Sequence, residues 1–239
     1  MKIREQLQSN LLFKIGEILL VFISAFSFIK LVLPFAEDNP VLKQAVIWTA
    51  NIIMLVLVWI GIKIREEDWS AFGLQINLPS LKKVIKMFLQ SILVFVLAML
   101  GFIIGSIIMA NITGIPESSD MTNYAYLKDN FPMLLLTLSG VYIVSSFGEE
   151  VIYRAFLINR LSEMGLNSKW GTVITVILSS AIFGFVHYEW GPMGIVQTAF
   201  MGLALAICYI KLKKNLWVLI LAHAYMDTIL MLQMYMANN

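Results

Sequence analysis

MLLLTLSGVYIVSSFGEEVIYRAFLINRLSEM, residues 133–164, is the stretch on which the fold turns. It is apolar along most of its length, yet Glu149, Glu150 and Arg154 stand in its middle. At about 1.5 Å per helical residue it reaches about 48 Å, more than the roughly 30 Å of a bilayer's hydrocarbon core. A helix of that length protrudes or tilts, and its central charges need partners inside the protein.

The rest of the chain matches this reading. Of its 239 residues 59% are hydrophobic and only 13% charged, and the mean hydropathy is +0.82. Soluble domains sit near half apolar and a quarter charged. Apolar runs recur at about 15–35, 42–64, 84–110, 133–164, 170–188, 192–210 and 216–236. Backbone groups in lipid must be satisfied internally, so these runs are helices. The expected fold is all-α, a polytopic membrane helix bundle of about seven transmembrane helices. Residues 1–132 are expected to supply N-terminal membrane helices and connectors, and 133–239 a second set of helices with ionisable groups inside them.

Charge placement sets an expected orientation. Lys2, Arg4, Lys63, Arg65, Lys82, Lys83, Lys86, Arg160, Lys169, Lys211, Lys213 and Lys214 fall on alternate loops or their flanks. The other loops carry Glu37, Asp38, Glu117, Asp120, Asp129 and Glu189 against Lys30, Lys43 and Lys128. Short loops rich in Lys and Arg stay in the cytoplasm. The expectation is a multi-pass protein of the cell membrane with a cytoplasmic N-terminus and, after an odd number of crossings, an external C-terminus. The first apolar run follows a basic start but has no clear small-x-small cleavage site, so it reads as an anchor helix. Lys14 and Glu17 read as snorkelling groups near the surface. Segment 65–83, with Trp69, Phe72 and Leu74 among its charges, reads as an interfacial stretch or an anchored loop. The connector 113–131 suggests no metal or phosphate site, and Asn51 and Gln90 read as interhelical glue.

Cys208 is the only cysteine, so one chain can build neither a disulfide framework nor a thiolate cluster. The chain has no Gly-rich phosphate loop, and its basic residues follow topology, so nucleic acid is not an expected partner.

From residue 133 onward ionisable groups lie inside the apolar runs: Glu149, Glu150, Arg154, His187, His223 and Asp227, with both histidines of the protein among them. Each such group is costly at the bilayer centre, by at least about 2.5–3.5 kcal/mol, and its default reading is functional. Glu150 and Arg154 stand four apart, acid first, and form an expected structural ion pair. On an α-helix Glu149 points about 100° away and needs another partner. Helical rise puts Glu149 about 23 Å from the end of its helix and His187 about 27 Å along the returning one, at nearly equal depth. His223 and Asp227 come about 10 and 16 Å along the last helix, on one face.

Glu149-Glu150-x-x-x-Arg154, Phe183-x-x-x-His187 and His223-x-x-x-Asp227 resemble, in order, the three motifs of the CPBP intramembrane proteases. That group includes the CAAX prenyl endopeptidases of the Ras-converting type and bacterial Abi or bacteriocin-processing proteins. The likeness covers roughly 133–236. It implies a polytopic helical peptidase whose site faces a water-filled cavity within the membrane. On these positions it makes Glu149 and His187 the activators of the attacking water, and His223 with Asp227 the oxyanion stabilisers. Glu150 and Arg154 take the structural pair. Asp227 stands where the prenyl-protein proteases have Asn, and an ionised carboxylate donates no hydrogen bond. Either Asp227 carries a proton or it orients His223, which then donates. Ala155 stands where Gly commonly follows the arginine, which bears on helix packing.

The implied activity is an intramembrane endopeptidase that hydrolyses a peptide bond in lipidated, bacteriocin-like or signalling peptides entering from the bilayer. Glu149 is the expected base. No cofactor is firmly expected. Glu149, His187 and His223 are a ligand set zinc peptidases use, but the H-E-x-x-H pattern is absent. Two other classes compete. A catalytically silent immunity or scaffold protein of the same family is one, and a transporter or proton relay, which predicts repeat symmetry the sequence lacks, is the other.

Overall fold

In a computed structural model, residues 3–36, 38–74, 79–114 and 122–237 are described. Lys2, Glu37, Glu117 and Asp120, and residues 115–121 of the connector 113–131, lie outside them. The chain is an all-α membrane helix bundle, with no strand among the described residues. Helices α1 (Ile3–Ser9), α2 (Leu11–Val32), α3 (Pro40–Arg65) and α4 (Leu81–Thr113) come first. α5 (Phe131–Val141), α6 (Leu157–Glu163), α7 (Lys169–Phe185), α8 (Gly191–Lys211) and α9 (Leu216–Tyr235) follow.

Among the described residues six helical segments are long and apolar enough to cross a membrane: Leu11–Phe35, Pro40–Arg65, Leu81–Thr113, Phe131–Glu163, Tyr188–Lys211 and Leu216–Tyr235. The remaining expected crossing is α7. Its 17 residues rise only about 25 Å, less than the core thickness. Several starts are written in the sequence. Asn39 accepts from the Val41 and Leu42 amides ahead of Pro40, Asn130 accepts from Met133 ahead of Pro132, and Ser168 accepts from Gly171. Each satisfies amides that a first turn leaves open.

Two compact units share the chain. The first comprises Met1–Asp68, Ser119–Ile152 and His223–Asn239. In it α2 packs on α3, and a small core gathers Leu127, Leu134, Val141 and Met231. The two helices are tied by charge: Arg65 donates from Nε and Nη2 to Glu17 Oε2 at 3.0 and 2.6 Å. Glu17 is therefore no snorkelling group. Its side chain is 8% exposed, that of Arg65 1%, and a Cβ at Gly61 would stand 2.6 Å from Glu17 Oε1. The glycine leaves the carboxylate its place against α3.

The second unit comprises Trp69–Ser118 and Tyr153–Ala222, with α8 packed on both α4 and α7. Gly101 and Gly105 make the α4–α8 contact close. A Cβ at Gly101 would meet the Phe200 carbonyl oxygen at 2.6 Å, and one at Gly105 the Gln197 Cα at 2.9 Å. Gln197 adds a 2.9 Å hydrogen bond to Ser106. This is the small-xxx-small packing by which membrane helices approach closely. The described part of segment 65–83 does not simply lie along an interface. Phe72 and Leu74 are buried, the Ala71 carbonyl accepts from Asn159, and the Arg160 guanidinium sits 5.5 Å from the Phe72 ring. Buried hydrogen-bond partners and a cation face drew this turn inward.

Candidate active site

Phe131–Glu163 is one helical span, but its centre is not α-helical throughout. Tyr142–Phe147 and Glu150–Phe156 are wound as π-helix on either side of Glu149. A π turn holds more residues per turn, so consecutive side chains diverge less around the axis, and such turns are frequent at functional sites. The 100° divergence expected between Glu149 and Glu150 assumes a regular α-helix and does not apply here.

Both carboxylates instead reach one imidazole. Glu150 Oε1 lies 2.8 Å from His223 Nδ1, and Glu149 Oε2 lies 3.9 Å from His223 Nε2. Asp227, one turn further along α9, brings Oδ1 to 3.9 Å from the same Nε2. The Glu150 side chain is fully buried and that of His223 5% exposed, while those of Glu149 and Asp227 each keep 13%. The inner carboxylate fixes the ring, and the two outer ones face its other nitrogen.

Two serines complete this cluster, and the sequence reading assigned them no role. Ser146, itself buried, donates from Oγ to Asp227 Oδ2 at 2.6 Å. Ser145 Oγ lies 3.5 Å from His223 Nε2. Each precedes a glutamate by four residues, 145 before 149 and 146 before 150. That repeat was the available signal.

His187 and Arg154 belong to the second unit. His187 is not inside a helix as expected. α7 ends at Phe185, and His187 occupies the turn beyond it, before the short 3-10 segment Tyr188–Trp190. Its Nδ1 lies 2.7 Å from the Phe183 carbonyl oxygen. A carbonyl only accepts, so Nδ1 carries a proton, and Nε2 is the nitrogen that gains or loses the second one. This bond is the physical content of the Phe183-x-x-x-His187 spacing. The ring is flanked by Phe183 at 4.8 Å and Trp190 at 5.1 Å between centroids. The Arg154 guanidinium stacks 4.0 Å over the other aromatic partner, Phe183, and Gly202 gives the pair room.

Among the described residues no group of three or more His, Cys, Asp and Glu side chains is arranged to hold a metal ion.

A buried histidine gripped by carboxylates within an all-helical membrane protein defines the class: a polytopic membrane protein with a buried acid–imidazole cluster. Residues 131–229, less than half of the chain, match the family described as type II CAAX prenyl endopeptidase Rce1-like, and this part of the protein is similar to that family. No curated protein and no solved structure matches the chain.

Proposed function

We propose that the protein is an intramembrane endopeptidase that hydrolyses a peptide bond with water activated at Glu149. The observation that carries the reading is the position of His223 Nε2, 3.9 Å from both Glu149 and Asp227 while Nδ1 is held by Glu150. In this reading the three groups share the water that is activated.

In this mechanism the Glu149 carboxylate takes a proton as the water oxygen bonds to the scissile carbonyl carbon. The protonated His223 ring gives Nδ1–H to Glu150 and Nε2–H to the oxyanion that develops. The tetrahedral intermediate collapses, the C–N bond breaks, and Glu149 returns its proton to the leaving amine. Ser146 donates to Asp227, which supports the second role open to that residue: it accepts hydrogen bonds, stabilises the imidazolium and leaves donation to His223. His187, which the motif pairs with Glu149 in activating water, offers the lone pair at Nε2. Glu150 and Arg154 balance buried charge on one helix.

The substrate is a peptide or protein entering from the bilayer, lipidated, bacteriocin-like or signalling in kind. The N-terminus is cytoplasmic, as the alternate basic loops favour. A comparison of peptides released by membranes of cells carrying the wild-type protein or Glu149→Gln tests the function. Peptides that vanish in the variant while it still inserts support it, and identical peptide sets overturn it. A silent immunity or scaffold protein gives the second result, with its phenotype intact.

A further inference from the structure

Four lysines meet in the second unit far from the glutamates of the proposed centre in sequence. Lys83 and Lys86 come from the first turns of α4, Lys211 from the last residue of α8 and Lys213 from the turn after it. Together with Met87, Gln90, Leu212 and Asn215 they line a cavity of about 320 Å³ that no acidic residue enters. Alternate basic loops account for lysines on one side of a membrane. They do not account for four lysines, drawn from segments more than a hundred positions apart, lining one concavity.

The turn is shaped for this. Lys213 and Lys214 both have left-handed backbone, φ 53° and 62°, a conformation disfavoured for residues with a Cβ. It sends the two side chains apart. Lys214 donates to Asn159 Oδ1 at 2.5 Å, while Lys213 lines the cavity. Lys83, Lys86, Lys211 and Lys213 are all exposed.

We propose that this cavity binds the phosphate-bearing head group of an anionic phospholipid. The lysines stand at the ends of two apolar spans, Leu81–Thr113 and Tyr188–Lys211, where head groups lie. Just beyond them along α4, Phe88, Leu89, Ile92 and Leu93 are exposed, an apolar track for the acyl chains. A free phosphate uses the lysines but not that track. Basic pockets between membrane helices are suited to such head groups.

The test is native mass spectrometry of the full-length protein in detergent with added dioleoyl phosphatidylglycerol or dioleoyl phosphatidylcholine. The wild-type protein is expected to retain phosphatidylglycerol at least about tenfold better, and Lys83→Gln/Lys86→Gln or Lys211→Gln/Lys213→Gln to cut that preference by about tenfold. The matching Lys→Arg variants keep the charge and the preference, and they serve should a glutamine variant fail to insert. Equal retention of the two lipids by the wild-type protein overturns the proposal. So does a preference undiminished in both glutamine variants, or displacement of the lipid by millimolar inorganic phosphate, which marks a free-anion site.

Discussion

Glu150 Oε1 lies 2.8 Å from His223 Nδ1, joining two residues 73 positions apart in sequence and both shut away from solvent. The bond sets which ring nitrogen is left to face Glu149 and Asp227. Glu150→Gln keeps the shape but removes the charge that steadies the ring. Turnover is expected to fall about 10²–10⁴-fold with little change in KM, the range of loss when a carboxylate behind a catalytic imidazole is removed. Steady-state kinetics on the reconstituted protein check this, and a change confined to KM contradicts it.

Asp227 is an acceptor in this account, since Ser146 donates to it. Asp227→Asn retains an acceptor oxygen and is expected to keep activity within about tenfold, whereas Asp227→Ala loses considerably more. Ser146→Ala leaves a buried carboxylate oxygen short of a hydrogen bond and lowers stability by about 1.5–3 kcal/mol. Kinetics and thermal unfolding in detergent read the two effects separately.

Ser145 offers a sharper discrimination. With its Oγ 3.5 Å from His223 Nε2 and Glu150 behind the ring, it has the outline of a serine nucleophile with its base and orienting acid. Water attack assigns it no covalent role. Ser145→Ala is expected to retain turnover within about tenfold, and a fluorophosphonate is expected to leave the wild-type protein unlabelled. Stoichiometric labelling at Ser145 with loss of activity sinks the water mechanism.

Much of this was legible in the chain itself. Apolar runs of membrane-crossing length announced the helices. Charged or imidazole side chains inside such runs, costly in lipid, drew attention to Glu149, Glu150, His223 and Asp227, whose three carboxylates lie within 3.9 Å of the His223 ring nitrogens. The partners were less legible. The sequence gives no sign that residues 142–147 and 150–156 wind as π-helix, so regular α-helical angles turned Glu149 away from Glu150 when both reach His223. Glu17 was misread for a related reason. Its partner, Arg65, lies 48 positions away, and only tertiary contact reveals that Gly61 leaves space for the carboxylate.

That buried pair carries its own prediction. Arg65→Leu takes the guanidinium from the buried Glu17 carboxylate and costs about 3–5 kcal/mol, Glu17→Leu costs less because Arg65 keeps Glu67 at 3.5 Å, and Glu17→Leu/Arg65→Met costs less than the sum of the two. Unfolding of the three variants in detergent decides it, and additive losses contradict the pairing.

Gly101 and Gly105 set a further limit. Leucine at either position drives a side chain into the α8 backbone, which cannot yield as a flexible side-chain end can. Each substitution is expected to lower stability by about 1–3 kcal/mol or more, whereas Gly16→Ala on α2, with open space around the site and ordinary helical backbone, disturbs no packing. The melting temperatures of the three variants compare them directly.

The most direct test of the central claim is the single-turnover rate of wild-type and Glu149→Gln protein in lipid nanodiscs, on a peptide that wild-type membranes release. The account predicts a fall of about 10²–10⁴-fold in the variant with its melting temperature retained. Full turnover by a correctly inserted Glu149→Gln protein contradicts it.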